Sequence, residues 1–166
     1  MLNIDRIKTA LQSRFDWQET APKAEEAPDL YFRIRLRRFV AFVIDFLIMI
    51  ALSLALLVVG MILVVVTLGL FQWPLYVLLI LLPLFYYIPQ IGGKRQATIG
   101  MRKMGIFVRS WDGEAPKIFQ AGLMALLFYV SVGLSYFVIV VVSFFNPRGR
   151  CLHDYFSGTV VVNKLV

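Results

Sequence analysis

Apolar residues run through this chain in three long blocks with short polar breaks between them, and a carboxylate interrupts the first block. Between Phe39 and Pro89 the single charged residue is Asp45. A tract of that length is too long for one buried core helix and predicts membrane-crossing segments. Phe39 to Leu68 alone is 30 residues, about 45 Å as α-helix against a hydrocarbon layer of about 30 Å. The first helix must therefore tilt, project beyond the lipid, or end before Gly69. Gly69, Gln72, Trp73 and Pro74 break the tract; proline suits the first turn of a second helix and Trp73 suits a membrane interface. Pro83 is placed to kink that helix and Pro89 to end it.

The pattern predicts an all-α membrane protein with three hydrophobic helical segments, at about 39–64, 72–89 and 118–145, preceded by an amphipathic helix. The last segment has two readings. As a single crossing it leaves the C-terminal tail opposite the N-terminus; as a bent or re-entrant pair of half-helices around Ser131 to Gly133 it returns the tail to the starting side. Placing Arg148, Arg150 and Lys164 with the other basic residues favours the return, whereas a re-entrant turn must hide its irregular backbone in protein.

At the N-terminus, Ile4, Ile7, Leu11 and Phe15 recur at helical spacing. That helix is expected either to lie on a membrane or partner surface, with Trp17 as anchor, or to pack on its own domain. Glu19 to Asp29, with Pro22 and Pro28, reads as an acidic linker. The expected division is residues 1–30 as a cytosolic helix and linker, and residues 31–166 as the transmembrane domain. Arg33, Arg35, Arg37 and Arg38 lead into the first span as an interfacial approach, their side chains reaching lipid phosphates. Beyond the second span, Ile106 to Val108 is expected as a short strand followed by a turn at Asp112-Gly113, and Thr159 to Val162 as a strand pairing with it.

Composition agrees with the pattern and adds an orientation. Apolar residues make up 60% and charged residues 16% of the 166 residues, with a mean hydropathy of +0.77, outside the ordinary soluble range. The net charge of +7 is unevenly distributed. Residues 31–38 hold four arginines and no acid, and Gln90 to Lys117 hold six basic residues against Asp112 and Glu114. Basic residues flanking apolar spans point to an inner-membrane, multi-pass protein with a cytoplasmic N-terminus, set against anionic lipid rather than nucleic acid. The first 30 residues are too polar for the apolar section of a cleaved signal peptide, so the first span is expected to act as an uncleaved insertion signal.

Arg38, Ala41 and Asp45 fall at i, i+3 and i+7, on one side of the first helix. A carboxylate inside such a helix is costly in lipid and must face protein or water and find donors. If the tail returns, Arg148, Arg150 and His153 are candidate partners for Asp45. The run from Arg37 to Asp45, Thr98-Ile99-Gly100-Met101-Arg102-Lys103, and the closing run Asn146-Pro147-Arg148-Gly149-Arg150-Cys151-Leu152-His153-Asp154 resemble, in order and spacing, the motifs of the RDD family of bacterial membrane proteins. That family is named for one arginine and two aspartates, which fall here on Arg38, Asp45 and Asp154. A typical member has lysine where this chain has Met101. The resemblance implies a membrane location and, for some members, transport including sodium/proton exchange.

Two function classes follow. Paired carboxylates in one polar cavity would bind a cation or exchange a proton, as in a small oligomeric proton- or sodium-linked transporter. Alternatively, Asp45 fixes the first helix against the returning segment, with Arg38 compensating charge, in an accessory or assembly subunit of a membrane complex. The sparse polar lining of the spans favours the structural role. No catalytic set, phosphate loop, cofactor motif or metal cluster is argued: Gly92, Gly93 and Gly100 lack phosphate-loop spacing, His153 is the single histidine and Cys151 the single cysteine. The expected partners are the bilayer and either further copies of the chain or another membrane protein.

Overall fold

The computed structural model describes Ala21 and residues 27–135 and 151–164. The expected amphipathic helix near the N-terminus lies outside these residues, as do Arg148 and Arg150. Pro28 opens a four-residue helix, α1 (Pro28–Tyr31), so the end of the expected linker is helical. Arg33, in the left-handed backbone region at φ 51°, separates α1 from the long α2 (Ile34–Val66). The arginine-rich run thus lies largely in the first turns of the helix that continues into the apolar span. Leucine, isoleucine and valine fill α2, and its apolar window is only 11% buried, which suits a helix solvated by lipid rather than by protein.

A turn through Gly69, which takes φ 92°, leads into α3 (Gln72–Ile91). Pro74 occupies the first turn, where its missing N–H costs no hydrogen bond. Pro83 and Pro89 both lie inside α3, so Pro89 does not end the helix as expected; it continues to Ile91. The two helices pack closely at Gly60, where an added Cβ would strike the Leu75 side chain. These two helices, extended on the first by α1, are long and apolar enough to cross a membrane. The third apolar segment forms α5 (Ile118–Ser135); the rest of the expected 118–145 span is not among the described residues. Its aromatic residues pack on both partners, with Phe128 edge-on to Phe42 of α2 and Tyr129 edge-on to Tyr87 of α3.

Between α3 and α5 the chain forms α4 (Ile99–Lys103) and β1 (Ile106–Ser110). After residue 150 it resumes as α6 (Leu152–Phe156) and β2 (Thr159–Asn163). The strands pair antiparallel, Ile106 opposite Asn163 and Val108 opposite Val161, as the two β-branched runs predict. The turn after β1 closes with Gly113 donating its N–H to the Ser110 carbonyl. Val108, Val160, Val161 and Val162 join Leu30, Ile34 and Ile91 in one buried cluster. Asn163 ties the pair to the start of the chain: its amide donates to the Asp29 and Phe32 carbonyls at 2.9 Å each, and its oxygen accepts from Arg37 at 3.1 Å. These bonds set β2 beside the start of α2.

Candidate functional site

Two polar nodes sit two turns apart on the same side of α2. The first is built on Asp45, which is 2% exposed. Its Oδ1 accepts from the Tyr86 hydroxyl at 2.7 Å and from the Gly100 backbone N–H at 2.8 Å, and its Oδ2 accepts from the Thr98 hydroxyl at 2.6 Å. Thr98 is also the N-cap of α4, taking the Met101 N–H on the same hydroxyl oxygen at 3.1 Å. Its proton is thereby left for Asp45. Gly100 is required by space: an added Cβ would collide with the Ala41 carbonyl and lie 2.9 Å from the Asp45 carboxyl carbon. The Thr-x-Gly segment therefore docks as a unit, one hydroxyl and one bare backbone N–H aimed at a carboxylate on the neighbouring helix.

The second node is built on Arg38. Its guanidinium donates to Asp154 Oδ2 at 2.6 Å, the arginine side chain being 14% exposed and the aspartate fully buried. The same Oδ2 accepts the Cys151 backbone N–H at 2.9 Å, so Asp154 caps the short helix on which it lies. His153 Nε2 lies 3.4 Å from Asp154 Oδ1, and its ring stands edge-on to Phe128 at 5.2 Å between centroids. Ser157 donates back to the His153 carbonyl at 2.8 Å, closing the turn into β2.

The chain belongs to the RDD family. The family model matches residues 35–158, about three-quarters of the 166 residues. Arg38, Asp45 and Asp154, where the family's arginine and two aspartates are expected to fall, lie inside the match. No curated protein and no solved structure matches the chain.

Among the described residues the hydrogen-bond partners of Asp45 are neutral donors from α3, its following turn and α4. Arg38 reaches instead to Asp154, so the two carboxylates are in separate nodes rather than facing each other in one cavity. Arg148 and Arg150 fall outside the described residues. Tyr86 was not singled out from the sequence, where it is one of several tyrosines in an apolar helix; its position on the face of α3 turned toward Asp45 carried the only signal. Among the described residues Cys151, His153 and Asp154 each place a ligand-type atom within 4.8 Å of the others. A cation on that carboxylate would share it with the Arg38 guanidinium, which opposes binding.

Electrostatics make the second node sensitive to acid. Burial pushes the Asp154 carboxyl up, but the charges of Arg38 and His153 and the hydrogen bonds from Arg38 and Cys151 outweigh it and hold it below its ordinary 3.8. Burial pushes His153 down from 6.5, with Arg38 adding to the shift and Asp154 opposing it. In both cases the unfolded chain takes up a proton before the folded one does, so both groups destabilise the fold as pH falls. The Asp154 contribution is complete above 3.8 and is lost as pH drops through its folded value; the His153 effect starts below 6.5. Thermal unfolding in detergent is expected to show two acid steps, with His153→Asn removing the upper one. Asp154→Asn is expected to cost about 3–5 kcal/mol at neutral pH, the range for breaking a buried pair, and to flatten the lower step. An unchanged acid profile in both variants would contradict the assignment.

Proposed function

We propose that this RDD-family chain is a non-catalytic accessory or assembly subunit of a membrane complex. One observation carries the reading: both oxygens of Asp45 are committed to donors from the same chain, in a buried position. A carboxylate held this way locks α2 to α3 and to the Thr98 to Gly100 segment, and Arg38 uses the other family acid to lock the tail. Both acids are thus given structural work, and the exposed apolar surface of α2 leaves area for other helices.

The expected setting is the inner membrane, multi-pass, with the N-terminus and the β1–β2 pair in the cytoplasm, where the basic residues after α3 would meet anionic lipid. The return of the tail to the start of α2 supports a last segment that bends back on itself. Association with further copies or with another membrane protein would supply the cover that such a turn needs.

Oligomeric transport coupled to protons or sodium is the second reading, favoured by the placement of Asp45 and Tyr86 on the two candidate spans. The two readings separate in one comparison. Crosslinking in cells followed by purification in mild detergent is expected to recover a stoichiometric membrane partner, and proteoliposomes of the isolated chain are expected to show no ion flux that Asp45→Asn or Asp154→Asn abolishes. Recovery of isolated monomer, together with flux lost in both variants, would reverse the assignment in favour of transport.

A further inference from the structure

The described helices carry enough length and exposure to fix where the bilayer boundary falls. From Asp45 to Val66 is 22 residues, about 33 Å at the helical rise, which matches a hydrocarbon layer of about 30 Å. Gln72–Ile91 is 20 residues, about 30 Å by the same rise. At the hairpin end Trp73, 78% exposed, and Tyr76 stack edge to face on the surface. If the hairpin marks one interface, the other falls close to Asp45 on α2 and near Ile91 on α3, little more than a turn past Tyr86, and the eleven residues of α2 before Asp45 lie beyond the hydrocarbon.

A second ring of exposed aromatics lies at that other end. Phe119, at the start of α5, is 80% exposed; Phe156 of α6 is 68% exposed, with Tyr155 and Phe39 also on the surface. Arg38 bonded to Asp154 brings α6 alongside the first turns of α2, so Tyr155 and Phe156 belong to the same layer as Phe39. Exposed Arg33, Arg35 and Lys117 adjoin these aromatics in sequence. Large aromatic side chains beside cations, at one hydrocarbon thickness from a Trp-Tyr pair, have the composition of an interfacial belt.

We propose that α6 and the start of α5 are seated in the headgroup layer of an anionic leaflet, with Phe156, Tyr155 and Phe119 inserted at the boundary with the acyl chains. Asp45 then lies at the edge of the hydrocarbon rather than at its centre, and the α4, α6 and strand layer forms a collar around the emerging end of α2. The inference rests on membrane residence and is independent of the choice between accessory subunit and transporter.

Depth measurement by spin-label relaxation tests it on the full chain in vesicles of mixed phosphatidylglycerol and phosphatidylethanolamine. In a Cys151→Ser background, where serine is itself a good helix cap, single labels are placed through Phe156→Cys, Phe119→Cys, Leu57→Cys and Asp112→Cys. The oxygen-to-nickel-chelate collision ratio is expected to be highest at Leu57, lowest at Asp112, and intermediate at both Phe156 and Phe119. A ratio at Phe156 or Phe119 equal to that at Asp112 would overturn the seating by placing that position in water. Exclusion of both relaxants there would overturn it by placing a protein surface over the belt. The label at Phe119 lies on a separate helix, so undocking of α6 in one variant leaves that arm intact.

Discussion

A carboxylate placed in an apolar helix has to be solvated by something, and in this chain the solvent is the chain itself. Leaving such a group without partners in a low-dielectric surrounding costs several kcal/mol or more. The remedy is a Tyr hydroxyl, a Thr hydroxyl and a glycine N–H, all within 2.6–2.8 Å of Asp45. Much of the local architecture follows. The chain leaving α3 must fold back beside α2, Thr98 must start a helix there, and Gly100 must be bare to let its backbone reach the Ala41 turn. Lipid supplies no such donors.

Arg38 and Asp154 perform a parallel task two turns nearer the start of α2. A buried ion pair is weak evidence for net stability, because desolvation offsets much of the attraction. What it supplies here is register: it joins the first turns of α2 to a helix more than a hundred residues later, and the β1–β2 pairing and the Asn163 bonds to Asp29, Phe32 and Arg37 hold the same two ends of the chain. The two candidate spans keep most of their apolar surface exposed and gain few constraints from hydrophobic burial against each other. The polar layer at their common end therefore defines the arrangement.

Much of this was legible in the sequence because it depends on local signals. The spacing of Arg38 and Asp45 placed them on one helical side, Gly69 with Pro74 marked the hairpin, and the β-branched runs at Ile106 and Thr159 identified the strand pair. The partners were not legible. Asp45 bonds to neutral donors, and a hydroxyl or backbone N–H leaves no mark of charge complementarity in a sequence, whereas arginines at 148 and 150 suggested a pairing on charge alone. Pro89 gives up its own N–H bond and crowds the carbonyl four residues back, but the Gly92 N–H still reaches the Ile88 carbonyl and α3 runs two residues further. Gly100 read only as one residue of a family-like run, while its role is to let two backbones approach.

If Asp45 is a structural acceptor for the Thr98 to Gly100 segment, a double-mutant cycle of Asp45→Asn, Thr98→Val and the double variant, compared by reversible unfolding in detergent or bicelles, will read that tie. Strong non-additivity is expected, a coupling of about 1–3 kcal/mol, the cost of stranding a buried hydrogen-bonding partner. Additive single effects would contradict it, leaving Asp45 without an energetic tie to the segment that surrounds it.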